Sequence, residues 1–415
     1  MTDVATRAVP ATRAGALSGL RVVEMGFAAA GPLVGKYLAN FGADVIRIES
    51  RLAPDVFRTA YPPFKDGQPG PDRAGMFAFY NDGKRSATLN LKHPKGVALA
   101  RLLIARADVF IESFTPGTIA RLGLDAASLR AADPALIVLS SCNQGQSGPH
   151  AFHPGYGSQL SALAGFVHLL GDAGSTPVLL YGPYIDYIAV GYGAIAVLAA
   201  LERRKRTGQG CTIDLSQLEA GLQFLTPTVL EFAANGRIPG RVGNADAVAA
   251  PHGVYPCAGD DRWCALSVWN DAEWQRLVAI VPELADASRD LATSAARRRS
   301  SGAVDDGIAR WTRTRERDDV VTALRAAGLR AAPVLTISEL FTDPQLRHRG
   351  MWPKVQHPVI GAMHVMAPPF RLSATPSVQE RPGPLVGADN DHVFGELLGL
   401  TDAERVVLER DGAFT

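Results

Sequence analysis

The chain carries no Gly-x-Gly-x-x-Gly fingerprint and no phosphate-loop sequence. That disfavours a nicotinamide or nucleoside-triphosphate enzyme, while leaving a nucleotide-shaped ligand open. Its four cysteines, Cys142, Cys211, Cys257 and Cys264, are scattered without metal-ligand spacing, and the nine histidines form no His-x-x-x-His pair. No metal site is therefore expected, and the cysteines are expected to be reduced structural thiols. Neither sign of charge prevails, with 42 basic against 41 acidic residues, so nothing electrostatic calls for nucleic acid or an anionic membrane. No stretch offers the roughly 18 uninterrupted apolar residues of a membrane helix. Met1–Ala16 has no apolar core of a secretory signal and reads as a short disordered arm. A cytoplasmic location is expected.

What is present is alternation. With 415 residues the chain exceeds one ordinary core, and two domains are expected. Leu20–Met25 reads as a strand, Gly31-Pro32 opens a helix through Ala39, Gly42 closes it, and Ala43–Glu49 reads as the next strand. Further strands are expected over Ala87–Leu91, Asp108–Ser113 and Leu136–Ser141, with a helix over Pro94–Ala107 and another opened by Thr115-Pro116-Gly117. Such alternation predicts an α/β fold with a parallel sheet and ligand sites at the carboxyl ends of its strands. Four of those ends collect polar or turn residues: Gly26–Pro32, Glu49–Arg51, Ser113–Gly117 and Cys142–Gly148. After about Phe224 the pattern changes. His252–Pro256 and Arg262–Val268 read as an antiparallel hairpin turning at Gly259-Asp260-Asp261, and a helix follows near Asp271–Ile280. Arg297–Ser301 and Arg310–Arg325 read as charged, exposed helix, and Pro368–Leu372 as strand-like.

Asp186 stands where the turn-rich Gly182-Pro183-Tyr184-Ile185 meets an apolar helix running through Tyr187–Arg206 and ending at Gly208. A carboxylate there lies at the positive end of the helix dipole, which is expected to keep it ionised. The residues alone leave two readings open, a structural N-cap or a nucleophile. The Arg203–Arg206 run complements the negative end of the same helix and is not a nucleic-acid patch.

Several segments together resemble the class III coenzyme A transferases, the group that includes formyl-CoA transferase and carnitine CoA-transferase. They are Leu17–Glu24, Ala30-Gly31-Pro32, Gly42–Glu49, Asn81–Ser86, Phe114–Gly117, Arg121-Leu122-Gly123, Arg203–Gly210, Ile213–Ser216 and Asp343–Leu346. The resemblance runs from about Leu17 to Leu400. It implies a Rossmann-like large domain built from 17–225 and 340–415, a smaller α+β domain over 226–339, and two chains interlocked as a dimer. It implies no permanently bound cofactor, a CoA thioester and a free carboxylic acid as the molecules bound, and Asp186 as the attacking carboxylate. The acyl group would pass to Asp186 as a mixed anhydride, and CoA would then form an aspartyl thioester.

Other positions follow by motif. Arg51 and Arg121 match basic residues that contact the CoA phosphates or adenine. Lys84 and Arg85 are plausible phosphate partners, and Ser113 and Phe114 sit at the adenine-side strand end. Tyr156 aligns with an active-site tyrosine of the formyl enzyme. Ala29 replaces a glutamine used there, and a glycine-rich flap gives way to Gly243–His252, with His252 a possible acyl contact. These departures argue against formate and oxalate and for a roomier pocket. The segments around Tyr156–Phe166, Tyr181–Tyr187 and His252–Tyr255 look closest to succinyl-CoA-dependent transferases of the benzylsuccinate type. The alternatives are an α-methylacyl-CoA racemase, whose His-Asp pattern is Tyr156-Gly157 here, and one subunit of a heteromeric transferase.

Overall fold

The computed structural model describes residues 15–286 and 289–415. The arm expected over 1–16 lies outside them except for its last two residues. The chain divides into two compact units. One comprises the residues up to Phe166 with Leu180–Val229 and Pro344–Thr415, and the other comprises Val167–Leu179 with Leu230–Asp343. The stretch Val167–Leu179 was expected with the larger unit. It joins the smaller one because Gly243 N–H donates to Gly171 O at 2.9 Å, and Arg241 reaches Ser175 O at 3.0 Å and His168 O at 3.1 Å.

The larger unit is a mixed α/β layer structure around six parallel strands. These are β1 (Arg21–Met25), β2 (Asp44–Glu49), β3 (Arg85–Thr88), β4 (Val109–Glu112), β5 (Ile137–Cys142) and β6 (Thr212–Ser216), in the order 3-2-1-4-5-6. Five of the six were legible as β-branched runs between turn residues. β6, which alternates between exposed and half-buried positions, was not read as a strand. Parallel strands are covered on both faces, so both sides must be apolar. Val22, Val45, Val109, Ile111 and Leu139 pack in one core with helix Ala30–Asn40 and the long helix Tyr184–Thr207. Val23, Ile46, Ile48, Phe110 and Val138 pack in the other with helix Pro94–Ile104 and the short π-helix Asp391–Leu397. Full burial of each such side chain contributes about 1.5–3 kcal/mol.

β3 is an edge strand whose outward N–H groups need partners. The returning C-terminal segment supplies them: Ser86 N–H donates to Asp389 Oδ2 at 2.9 Å and Thr88 N–H to Asn390 Oδ1 at 2.8 Å. Before that return, β10 (Lys354–His357) and β11 (Gly361–His364) form an antiparallel hairpin that the sequence did not announce. Pro368–Leu372, expected to be strand-like, is irregular.

The smaller unit has an antiparallel sheet of β7 (His252–Pro256), β8 (Trp263–Ser267) and β9 (Arg330–Pro333). The expected hairpin is present, with Gly259 (φ 96°) and Asp261 (φ 49°) at its turn. Helix Asp271–Ile280 also forms as expected and buries Trp274 and Leu277. The Arg297 region departs from expectation. Its guanidinium is buried 5.1 Å from the Trp274 ring, donating to Ala250 O at 2.7 Å and pairing with Asp271 at 2.9 Å.

Candidate active site

The long helix begins two residues before Asp186, with Pro183 as its cap residue, so Asp186 is the third helical residue and not the N-cap. Its backbone N–H donates to Pro183 O at 3.0 Å. Its side chain is 9% exposed and receives no hydrogen bond from any described residue. Burial alone pushes the carboxyl up to about 7. The expectation that the helix dipole would keep it firmly ionised is therefore corrected: without a donor or cation, desolvation dominates.

Gly157 explains how a carboxylate comes to be buried here. A Cβ on Gly157 would stand 2.6 Å from Pro183 Cβ and 2.8 Å from Asp186 Oδ1. Only a residue without a side chain lets the start of helix Gly157–Leu163 close over Asp186. On another side lie two phenols. Tyr80, at the end of helix Gly75–Tyr80, is 8% exposed, and its hydroxyl is hydrogen-bonded to that of Tyr187, which is 40% exposed. Burial raises both phenols, and the Asp186 charge acts in the same direction.

Two cavities open at the carboxyl ends of the strands. One of about 320 Å³ is lined at the ends of β1 and β2 and beyond β3 and β4, by Gly26, Phe27, Ile48, Ser50, Leu91 and Phe114 among others. The second, of about 270 Å³, runs from Ser113 and Phe114 past Cys142 and Asn143 to Tyr156 and Gln217. Phe114 lines both, and Tyr156 precedes the glycine that touches Asp186. The two cavities therefore meet at Phe114, and the second ends at Tyr156, the neighbour of Gly157. Ser141 Oγ, buried in the wall of the second cavity, has no hydrogen-bond partner among the described residues.

The floor of the first cavity is held by charge. Arg47, buried, donates to Gly26 O at 3.0 Å and to Asp55 Oδ2 at 2.5 Å. Asp55 in turn accepts from Ala28 N–H at 2.9 Å, where Ala28 holds a φ of 58°. Ser113 Oγ accepts from Phe27 N–H at 3.0 Å, so this residue shapes the loop as well as lining the second cavity. Arg51 and Arg121 are exposed and flank the first cavity, in contact with Val386 O at 3.3 Å and Thr118 Oγ1 at 3.0 Å.

Three expected contacts change role. Lys84 is fully buried, and its ammonium binds both Glu24 oxygens (2.8 and 3.0 Å), Pro32 O (2.6 Å) and Asn81 Oδ1 (2.8 Å). Burial pushes it down to about 8 against the pull of Glu24, and it has no donor to offer a phosphate. Arg85 is committed to Asp44 at 2.8 Å and Asp389 at 3.5 Å. Ala29 is buried in the sheet core before helix Ala30–Asn40 and lines neither of these two cavities. His252 belongs to the smaller unit, where it lines a cavity of about 510 Å³ with Nδ1 against Asn244 O at 2.5 Å.

Gly157, Tyr187 and Tyr80 were the residues missed. Gly157 and Tyr187 adjoin residues already singled out, whereas Tyr80 is more than a hundred positions from Asp186 and carries no local signal. Among the described residues no group of three or more His, Cys, Asp or Glu side chains could hold a metal ion.

The model of CoA-transferase family III matches residues 17–390. The succinate–glutarate CoA-transferase of Agrobacterium fabrum is 34% identical over 400 residues, covering 96% of this chain and 98% of that protein. The succinyl-CoA–D-citramalate CoA-transferase of Chloroflexus aurantiacus is 32% identical, covering 95% and 96%. A crystal structure of a CaiB/BaiF family protein from Brucella suis superposes with a TM-score of 0.85 at 31% identity, covering 93% of this chain and all of that one.

Proposed function

The chain belongs to CoA-transferase family III, and from that premise we propose that it moves CoA from succinyl-CoA to a second carboxylic acid through Asp186. The relatives' substrates, glutarate and D-citramalate, point to a dicarboxylic acceptor. The observation that carries the assignment to Asp186 is its buried, unpartnered carboxylate set against Gly157 beside the Tyr156 cavity. Stripped of water and donors, such a group is more basic and more nucleophilic than an ordinary aspartate.

Asp186 attacks the thioester carbonyl, and collapse of the tetrahedral adduct expels CoA thiolate and leaves a mixed anhydride. The thiolate attacks the aspartyl carbonyl, releasing succinate and forming an aspartyl-CoA thioester. The acceptor carboxylate then repeats the sequence in reverse. One thioester is exchanged for another, so the thioester alone drives the reaction.

The strand order is that of doubly wound, Rossmann-like sheets, which bind nucleotides outside their carboxyl ends. This supports placing the CoA nucleotide in the 320 Å³ cavity, with Arg51 and Arg121 reaching its phosphates, and running the pantetheine arm past Phe114 and Tyr156 towards Asp186. The exposed apolar surface of Ile195, Leu198, Phe224 and Val229 supports a second copy of the chain as partner, interlocked as a dimer. A racemase needs a base on each side of the substrate's α-carbon. The position that aligns with the racemase's histidine is Tyr156 here, and the aspartate after it is Gly157, so one of the two bases is lost.

The test is peptide mass mapping after incubation with succinyl-CoA and an acyl-CoA panel. A CoA adduct on the Asp186 peptide, lost in Asp186→Ala, is expected. No adduct from any donor, together with solvent deuterium entering the α-carbon of a 2-methylacyl-CoA, would overturn the assignment in favour of racemisation.

A further inference from the structure

We propose that Tyr187, with Tyr80 behind it, donates the hydrogen bond that holds the acyl oxygen while Asp186 attacks; this deepens the transferase reading and rests on it. Two phenols hydrogen-bonded to each other hold two protons, and their mutual bond uses one. Among the described residues neither hydroxyl has another partner. Tyr80 is 8% exposed, and its ring is fixed edge-on against Phe57 at 5.3 Å and Tyr187 at 6.1 Å. A buried hydroxyl has to spend its proton on an acceptor, and the one in reach is the Tyr187 oxygen. That assigns the direction: Tyr80 donates inward, and the Tyr187 proton is left for the open side.

Tyr187 is 40% exposed, and the Asp186 charge is felt at both phenols, so under this proposal an acyl group attached to Asp186 sits on that open side. Burial and the Asp186 charge raise both phenols, which keeps them protonated at neutral pH and makes them donors, not bases. A hydroxyl that accepts one hydrogen bond donates the next more strongly, by about 10–30%.

In the first step the Asp186 oxygen forms a bond to the thioester carbon, and the carbonyl π electrons move onto its oxygen. Tyr187 stabilises that oxyanion without giving up its proton. The carbonyl then re-forms as the carbon–sulfur bond breaks, and the thiolate leaves with the electron pair. Tyr187 is thus a catalytic residue touching the reacting oxygen, and Tyr80 is a positioning residue acting through it. The backbone amides offer less, since Tyr184 N–H and Asp186 N–H already donate to Gly182 O and Pro183 O.

The experiment is rapid-quench mass spectrometry of CoA transfer onto Asp186 from succinyl-CoA, with the donor varied so that rate and half-saturation are read separately. Loss of one oxyanion donor slows chemistry by about 10²–10³-fold. We expect Tyr187→Phe to fall into that range with little change in half-saturation, and Tyr80→Phe to lose several-fold. 3-Fluorotyrosine at position 187 keeps the shape and lowers the phenol pKa, so it should raise the rate of attack, which a purely structural tyrosine would not do. Wild-type rates in Tyr187→Phe, or a fluorotyrosine variant no faster than wild type, overturn the proposal and leave the transferase standing. If the wild-type protein itself takes no label, the transferase reading falls and this proposal falls with it.

Discussion

Glu49 and Asp186 are carboxylates of one structural unit, 8% and 9% exposed, and their acidities move in opposite directions. Burial pushes Glu49 up, but two hydrogen bonds from Arg58 (2.7 and 2.8 Å), one from Ser86 (2.6 Å) and the nearby Arg47 outweigh it, and the group ends below its usual value. Asp186 feels the same burial with nothing to offset it and rises to about 7. Desolvation is common to both, so the partners make the difference. Glu49, Arg47, Arg58, Glu24 and Lys84 pair with one another and form scaffold under the first cavity. Asp186 is held in place by backbone and a glycine, and no described residue answers its charge, which supports the proposed chemical role.

The contrast is broken most severely by deleting the proposed nucleophile. Asp186→Ala should cost at least 10³-fold in steady-state transfer from succinyl-CoA, while the thermal melt stays within a few degrees of wild type. A residual rate within tenfold of wild type would take Asp186 out of the mechanism.

Breaking the scaffold should do the reverse. Arg58→Met strips Glu49 of its main partner and leaves a buried charge uncompensated, a loss of about 3–5 kcal/mol in urea unfolding. A change below about 1 kcal/mol would mean the cluster is far less interdependent than its geometry implies.

The two carboxyls should also give opposite pH slopes. Between about 4 and 7 folded Asp186 keeps a proton that the unfolded chain has lost, so its contribution to stability is complete at low pH and is lost as pH rises through about 7. Asp186→Asn should therefore be more stable than wild type at pH 8, by on the order of 2–4 kcal/mol, with the gain fading near pH 4. Glu49 runs the other way: its contribution is present above its unfolded value of about 4.3 and is lost as pH falls through its lower folded value. Equal gains for Asp186→Asn at the two pH values would contradict the raised pKa. The same titration predicts kcat/KM rising with pH to a plateau above about 7, because the nucleophile is the ionised form.

A smaller change sharpens the comparison from the geometric side. In Gly157→Ala the new methyl meets Pro183 and Asp186 Oδ1 and has to displace one of them. Misplacing the carboxylate by about 1 Å should lower transfer by up to about 10²-fold while unfolding changes by only about 1–3 kcal/mol. A variant as active as wild type would show that the close contact does not set the position of Asp186. The mildest effect is expected for Arg121→Ala, an exposed cation with no carboxylate partner among the described residues. It should raise KM for the CoA thioester several-fold, more at low salt, without changing kcat.

Much of the frame could be read from the chain, because strand runs, glycine stops and polar strand ends are local properties. β1, β2, β4 and β5 lie within a residue or two of their expected bounds, and the polar ends after β1, β2, β4 and β5 line the two cavities. β6 escaped because its side chains alternate weakly. The β10–β11 hairpin escaped because its four-residue strands carry little apolar signal. Around the site, Asp186, Tyr156 and Phe114 were singled out from their neighbours in sequence and by resemblance, and the fold places Phe114 at both cavities, Tyr156 at the second and Asp186 beside Gly157. Lys84, Arg85 and Ala29 were misjudged, since a motif fixes where a residue lies in the chain and not which way its side chain turns.

The sequence by itself determined the alternating frame, the hairpin of the smaller unit and the position of one aspartate at a helix start, all set by propensities acting over a few residues. Only the tertiary structure decided which charges meet. Lys84 turned inward to Glu24, Arg58 was spent on Glu49, and Tyr80 was brought to Tyr187. Desolvation and hydrogen bonding depend on neighbours far apart in the chain, so acidity and reactivity exist only once the fold has assembled them.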